Sequence, residues 1–309
     1  MVLDFAVLAA SLLVLVKASN VTIEKAARLS KLTGISHFVI GFIFVAVSTS
    51  LPELSIAVIS AAAKENHLSF GNLVGANITL LTLVLGIMIF AGFRPKRKDF
   101  IELDQAVIIT TIMALFLIAL KISNLAVGLF AVILFYVFSE QVAREGVEVG
   151  MNNNNNNSRP ASEKIKAASE LVVSVLVVVG AAYFVTNSAV AVSRTFGIAE
   201  TIIGATLISL GTTLPELSVN IAAIRKKDFS LAVGDTIGSM VTNLTLILGI
   251  SSMINPIAVG RVESFVLGFF VLASLVFLLM ATRFRFDRLS GAALIGLYFA
   301  YLLSLVSIL

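Results

Sequence analysis

The sequence predicts an all-α integral membrane protein in which ten transmembrane helices form two inverted five-helix repeats. Three observations support this fold class: the composition, the alternation of charge between successive connections, and a self-similarity between the two halves of the chain. Of the 309 residues, 58% are hydrophobic and 13% are charged, and the mean hydropathy is +1.03. Because a soluble domain carries about 25% charged residues, we expect this chain to be embedded in a bilayer.

The composition also excludes several kinds of chemistry. The chain has no cysteine, which excludes disulfides, thiolate metal sites and thiol catalysis. Its two histidines, His37 and His67, fall in polar connections, which argues against a histidine zinc site. The net charge of +4 is located in loops, so we expect no nucleic-acid partner. The first apolar run has no basic segment before it and is therefore predicted to be a retained helix rather than a signal peptide.

Apolar stretches of about 20 residues, the length that crosses a bilayer, mark the predicted spans. The first span is short, and the second, third, seventh and eighth are long and interrupted by Pro or Gly. The ten predicted spans are 2–17, 35–63, 68–93, 103–120, 122–139, 168–188, 198–224, 230–254, 262–282 and 289–308.

The basic residues test this count independently. Of the 22 Lys and Arg residues, all but four lie in alternate connections, after the odd-numbered spans. By the positive-inside rule these connections are cytoplasmic, so both termini are predicted to be extracellular and the protein to lie in the plasma membrane. The four exceptions are Lys64, Lys121, Arg194 and Arg261.

The two halves of the chain resemble each other. A shift of 163 positions aligns residues 34–87 with 197–250 without a gap, and the shared residues include a Pro-Glu pair and several glycines. Five spans separate equivalent elements, so the halves are predicted to have opposite orientations, as in many transporters. The predicted units are a first repeat (1–139, motif 41–87), a cytoplasmic linker (140–167) with a low-complexity tract Asn152–Asn157, and a second repeat (168–309, motif 204–250).

Each motif places a proline and a glutamate inside an apolar span, Pro52-Glu53 in one half and Pro215-Glu216 in the other. A charged side chain at that depth costs about 3 kcal/mol even on insertion scales. Each proline lacks an N–H, so a carbonyl one turn earlier loses its partner. Hydroxyl groups precede each glutamate within one turn, at Thr49 and Ser50 and at Thr212 and Thr213. Two such oxygen-rich segments predict a cation site.

A glycine-broken helix is expected opposite each motif, at 71–77 and 234–239. The side chains of Asn77, Ser239 and Asn243 are candidates to add oxygens to the site. Asn72 and Asp235 are either helix-end caps or ligands, and the sequence leaves both readings open. Two carboxylates with hydroxyl and carbonyl oxygens suit Ca²⁺ better than Mg²⁺.

The two glutamates carry two negative charges, which one Ca²⁺ or two monovalent cations neutralise. Crossing the membrane with both charges unpaired is unfavourable, so coupled exchange is the expected mechanism. The transported ions are then Ca²⁺ and either H⁺ or Na⁺, and no cofactor is expected.

The doubled Thr-Ser/Thr-Leu-Pro-Glu segments, with the Gly-Asn and Gly-Asp segments that follow them, resemble the alpha repeats of the calcium/cation antiporter superfamily. The resemblance covers both repeats and the ten-helix layout. It implies that Glu53 and Glu216 are the principal calcium ligands. It also implies contributions from the residues Thr49, Thr212, Ala46 and Ser209, the last two through their backbones.

In sodium-coupled members, additional sodium sites flank the calcium position. The chain departs from that pattern at Ala76 and Leu80, where a serine and an asparagine are typical, and at Asn243, where an aspartate occurs. Thr213 and Ser239 keep the hydroxyls of one flanking site. The departures favour Ca²⁺/H⁺ exchange, with Na⁺/Ca²⁺ exchange at the same central site as the alternative.

Two other classes explain the sequence less well. A passive cation channel would also use acidic residues, but no continuous polar stripe accompanies the doubled site. An intramembrane protease would need a partner aspartate for Asp235 deep within another span, but the other aspartates in the predicted spans, Asp4 and Asp104, lie at span ends. We therefore expect a transporter rather than an enzyme. The sequence leaves the oligomeric state open, although a monomer contains both halves of the site.

Overall fold

The computed structural model describes residues 2–62, 64, 66–93, 97–151, 160–195, 209–282 and 286–308, and these are almost entirely helical. The first half contains α1 (Val2–Thr33), α2 (His37–Ile40), α3 (Val47–Thr49), α4 (Leu51–Ala62), α5 (Asn66–Ile78), α6 (Leu85–Phe90), α7 (Arg97–Leu120), β1 (Ile122–Ser123) and α8 (Leu125–Met151). The second half contains α9 (Ala161–Thr195), α10 (Ser209–Thr212), α11 (Leu214–Arg225), α12 (Phe229–Val241), α13 (Leu248–Ile254), β2 (Ile257–Ala258), α14 (Arg261–Thr282) and α15 (Arg288–Ile308). Within the described residues, three π-helical segments connect consecutive helices, at Gly41–Ala46, Thr79–Val84 and Thr242–Ile247.

Within the described residues, six helical segments are long and apolar enough to cross a membrane, and a bent pair of helices makes a seventh. That pair is His37–Thr49 with Leu51–Val58, which meet at 41°. The predicted count of ten spans and the inverted orientation of the halves therefore remain predictions. Part of the seventh predicted span, 198–224, lies outside the described residues.

The first predicted span, 2–17, is too short: α1 continues to Thr33. The extension keeps a helical stripe of buried apolar residues, including Ile23, Ala26 and Leu29, among polar ones. A hydropathy average falls where polar residues become frequent, so the predicted span ends there although the buried stripe continues. It packs α1 along α9, and the carboxylate of Glu170 joins the two helices by accepting from both Lys25 and Arg28 at 2.8 Å.

The predicted linker is also more helical than expected. α8 runs past residue 139 to Met151, and α9 begins at Ala161 rather than at 168. An ion pair between Arg144 and Glu140, one turn apart, supports the end of α8. The Asn152–Asn157 tract lies outside the described residues.

The middle of the fold is formed by two helical rods, α5–α6 and α12–α13, each with a π-helical segment between its helices. They are the most buried of the candidate spans. By contrast, the outer faces of α8, α14 and α15 expose large apolar side chains such as Ile133, Leu279 and Leu303. Exposed apolar side chains on the outer helices are what a lipid environment requires.

The helix breaks fall at equivalent places in the two halves. α3 ends before Ser50 and α4 begins at Leu51, whereas α10 ends before Thr213 and α11 begins at Leu214. Pro52 and Pro215 occupy the first turn of α4 and α11, where the missing N–H is tolerated. The same shift of 163 relates α4 to α11, α5 to α12, and the π-helical segments that follow them.

The expectation of glycine-broken helices at 71–77 and 234–239 is wrong. α5 and α12 are continuous through these glycines, and the change to π-helix comes later, at Thr79 and Thr242. The glycines instead permit close helix packing. A Cβ at Gly238 would lie 2.5 Å from the Cβ of Ala46, and one at Gly234 would collide with the carbonyl of Phe38. α12 is therefore held directly against the segment that leads to Thr49.

His37 is not in a free connection. It is the first residue of α2, is half-buried, and its Nδ1 lies 2.6 Å from Oδ2 of Asp228. The same aspartate caps α12 by accepting from the backbone N–H of Leu231. This contact fixes the beginning of α2 against the beginning of α12.

Candidate cation site

Glu53 and Glu216 lie in the first turn of α4 and α11, directly after the two helix breaks. Both side chains are fully buried. Among the described residues, neither carboxylate oxygen of Glu53 has a hydrogen-bond partner, and Oε2 of Glu216 also has none. The two carboxylates are close enough to interact electrostatically. Buried acceptors without donors, side by side, create a strong demand for a cation.

The two threonines reach across to the opposite half of the protein. The hydroxyl of Thr49 lies 3.4 Å from Oδ1 of Asp235, and that of Thr212 lies 3.1 Å from Oδ1 of Asn72. The two contacts are related by the shift of 163 positions. They join each broken helix to the central rod of the other repeat, with an aspartate on one side and an asparagine on the other.

The structure excludes one of the two readings of Asn72 and Asp235. Both lie inside α5 and α12 rather than at a helix end, and both are buried. They are therefore not caps. Their side chains contact the threonine that precedes each glutamate.

The backbone oxygens of Ala46 and Ser209 are already engaged within their helices. The carbonyl of Ala46 accepts from the N–H of Ser50 and from the hydroxyl of Thr49. The carbonyl of Ser209 accepts from the N–H and hydroxyl of Thr213 and from the hydroxyl of Thr212. The structure thus brings both carbonyls to the helix breaks, where they order the threonines.

The flanking polar residues divide into two groups. On one side, the hydroxyl of Ser239 lies 3.5 Å from Oε1 of Glu216, and Thr213 lies at the helix break, three residues before that glutamate. On the other side, Asn243 donates to Asn77 at 3.0 Å, and Asn77 donates to the carbonyl of Met240. Within the described residues, Oδ1 of Asn243 and the hydroxyl of Ser50 have no partner. Both remain available as ligands.

The structure also shows where oxygens are missing. Ala76 and Leu80 are completely buried on the central rod α5 and its π-helical extension. Neither side chain can coordinate an ion. The first-repeat flank of the site is therefore poorer in oxygens than the second.

The charges of the described core are all of one sign. Its fully buried ionisable side chains include Glu53, Glu216 and Asp235, and no buried residue in the described part is Lys, Arg or His. No three acidic or histidine side chains there gather closely enough to hold one metal ion. An ion at this position must be held by two carboxylates completed by neutral oxygens, which is a donor set that suits Ca²⁺.

One polar contact of this region has no counterpart in the first repeat. Asn220 on α11 donates to the hydroxyl of Thr236 on α12 at 3.2 Å, and both side chains are fully buried. The equivalent positions of the first repeat are Ala57 and Leu73. A search for polar residues present in only one repeat would have found this pair.

The chain was compared with known proteins. The sequence profile described as "Sodium/calcium exchanger protein" matches residues 3–140 and 167–306. The sodium/calcium exchanger MaX1 of Methanosarcina acetivorans is 30% identical, with 98% of each chain covered. The inner membrane protein YrbG of Escherichia coli is 27% identical over 92% of this chain and 90% of its own length.

Among solved structures, the sodium-calcium exchanger NCX_Mj superposes with a TM-score of 0.81 at 24% identity, covering 98% of this chain and 99% of its own. That similarity concerns the fold. The profile match and the full-length relative confirm the resemblance seen in the two motifs. The chain belongs to the sodium/calcium exchanger family, a family of membrane transporters.

Proposed function

We propose that the protein exports Ca²⁺ from the cytoplasm by alternating access, with Glu53 and Glu216 as the ligands that hold the ion. The observation that carries this proposal is the pair of fully buried carboxylates at equivalent helix breaks, three of whose four oxygens have no hydrogen-bond partner among the described residues. Thr49 and Thr212, ordered by the carbonyls of Ala46 and Ser209, supply neutral oxygens beside them.

Exchange follows from the charge of the site. With no buried basic residue in the described core, an empty site would expose two carboxylates to a low-dielectric interior. The change between inward- and outward-facing states is therefore favourable only when cations occupy the site. This argues for an antiporter rather than a channel, which conducts without such a constraint.

Na⁺ is the proposed counter-ion. The relative MaX1, similar over its full length, is named a sodium/calcium exchanger. In this chain, the hydroxyl of Ser239 contacts Glu216, Ser50 and Thr213 precede the glutamates by three residues, and the buried Oδ1 of Asn243 has no partner among the described residues. Neutral and carboxylate oxygens together are suitable ligands for a hard monovalent cation.

Protons are the second candidate, favoured by Ala76 and Leu80. These buried side chains leave the first-repeat flank without oxygens, as the sequence indicated. Direct protonation of Glu53 and Glu216 needs no further ligand and would neutralise the same two charges.

Uptake of ⁴⁵Ca²⁺ into vesicles that contain the purified protein tests the proposal. An outward Na⁺ gradient at clamped pH, with a protonophore present, should drive uptake, and an outward H⁺ gradient without Na⁺ should not. Uptake driven only by the H⁺ gradient would replace Na⁺ by H⁺ in the proposal. Uptake without either gradient would contradict antiport and support a channel.

The proposed orientation can be tested separately. Lys64 and Lys227 lie in connections predicted to be extracellular and cytoplasmic. Because the natural chain has no cysteine, a single cysteine at either position is a unique label. An impermeant maleimide added to intact cells should label Lys64→Cys and spare Lys227→Cys. The reverse pattern would invert the assigned orientation.

A further inference from the structure

Asp235 is a third fully buried carboxylate, and the mechanism above makes no use of its charge. It lies in the interior of α12, and its Oδ2 has no hydrogen-bond partner among the described residues. Its Oδ1 makes a long contact with the hydroxyl of Thr49, at 3.4 Å. That hydroxyl also lies 3.1 Å from the carbonyls of Val45 and Ala46, which compete for its hydrogen.

One calcium ion does not balance three carboxylates. Asp235 and Glu53 each interact electrostatically with Glu216. The three do not converge on one point that could hold a single metal ion. No buried Lys, Arg or His in the described residues compensates for the remaining charge. A second positive charge beside Asp235 is therefore required when the carboxylate is ionised.

The surroundings of Asp235 offer oxygen ligands for a cation that carries this charge. The amide of Asn220 lies beside the carboxylate. Its Nδ2 donates to Thr236, and the Thr236 hydroxyl donates to the carbonyl of Ala232 at 2.9 Å. The amide of Asn220 also donates a hydrogen bond to the Asp235 carboxylate, but Oδ1 of Asn220 and Oδ2 of Asp235 have no partner in the described structure. Buried oxygens that are left without a partner favour the binding of a cation.

This environment exists in only one half of the protein. The first-repeat equivalents of Asp235, Asn220 and Thr236 are Asn72, Ala57 and Leu73. A purely structural polar contact would be as useful in either half. The asymmetry instead places one extra charge on the second repeat.

We infer that Asp235, Asn220 and Thr49 form a subsite for one monovalent cation, Na⁺, separate from the Ca²⁺ position. The inference rests on the proposed function. The subsite adds one positive charge to the bound ions. It shares Thr49 with the calcium site, so Na⁺ binding at the subsite is coupled to Ca²⁺ binding at Glu216.

Equilibrium binding of ²²Na⁺ to the purified protein tests this inference, with ⁴⁵Ca²⁺ binding measured on the same samples. Asp235→Asn keeps the shape of the side chain and removes its charge. The variant should bind one Na⁺ fewer per molecule than the natural protein while it still binds Ca²⁺. Asn220→Ala keeps the charge and removes a neutral ligand. It should weaken the binding of that Na⁺ by about tenfold.

A charge-relocation variant serves as the matched control. In Asp235→Asn/Asn72→Asp the carboxylate moves to the equivalent position of the first repeat, which lacks a counterpart of Asn220. The lost Na⁺ should not return. Its return would show that any buried carboxylate suffices, and would overturn the subsite.

Three other results would also overturn the inference. The first is an unchanged number of bound Na⁺ ions in Asp235→Asn. The second is loss of Ca²⁺ binding in Asn220→Ala, which would assign this group to the calcium site. The third is proton release on Ca²⁺ binding that disappears in Asp235→Asn while ²²Na⁺ binding does not change, which would identify the ligand as H⁺. Failure of the proposed function is separable, since it would remove gradient-driven ⁴⁵Ca²⁺ uptake from the natural protein itself.

Discussion

The close packing of α12 on the helix that leads to Thr49 predicts that a single methyl group at Gly234 disables the site. A Cβ at this position would overlap the carbonyl oxygen of Phe38 and lie 2.9 Å from its carbonyl carbon. Normal contacts between carbon atoms are about 3.5–4.0 Å. The obstacle is backbone, so it cannot rotate away, and the two helices must separate by an amount on the order of 1 Å.

The expected loss of stability and of Ca²⁺ exchange follows from two effects. Overpacking of this kind costs about 1–3 kcal/mol of stability. The Thr49–Asp235 contact, already 3.4 Å long, is lost when the helices separate. Gly234→Ala should therefore lower the midpoint of thermal unfolding in detergent by several degrees and reduce Ca²⁺ exchange.

Gly296→Ala is the control. Gly296 is exposed on α15, and no described atom lies within 4 Å of a Cβ built there. Alanine also favours helix over glycine by about 1 kcal/mol. This variant should unfold at or above the midpoint of the natural protein and exchange Ca²⁺ normally. Equal behaviour of the two variants, in unfolding and in exchange, would refute the packing argument.

Three further predictions concern the site and its supports. Thr49→Val and Thr212→Val should each raise the Ca²⁺ concentration for half-maximal uptake by about tenfold, because each removes a neutral oxygen; unchanged values would exclude these hydroxyls as ligands. Ca²⁺ uptake at constant Na⁺ gradient should fall as the pH is lowered, because protonation of the glutamates removes calcium ligands, and uptake that rises toward acid pH would contradict this. Asp228→Ala removes both the cap of α12 and the contact with His37, so it should cost about 1 kcal/mol in thermal unfolding without changing the Ca²⁺ affinity; a changed affinity would connect this contact to the site.

Much of the site could be predicted from sequence because its chemistry is unusual for a membrane. A Pro-Glu pair inside an apolar span has few explanations, and its repetition at Glu53 and Glu216 identified the family and predicts the centre of the site. The positions of the helix breaks also followed, since proline cannot continue a helix hydrogen-bond pattern.

The rest depends on packing that no single stretch encodes. Gly234 and Gly238 suggested broken helices, but in contact with Phe38 and Ala46 they allow close approach without a break. The extension of α1 to Thr33 depends on a buried stripe facing α9. The pairing of Thr49 with Asp235 joins residues 186 positions apart and becomes visible only in three dimensions.

The central claim is that Glu53 and Glu216 together hold the transported calcium ion. Equilibrium ⁴⁵Ca²⁺ binding to purified Glu53→Gln and Glu216→Gln tests it most directly, since glutamine keeps the size of the side chain and removes the charge. The account predicts that each variant remains folded and loses Ca²⁺ binding, and that the two losses are similar because the residues occupy equivalent positions. Ca²⁺ binding at the natural affinity in either folded variant would contradict it.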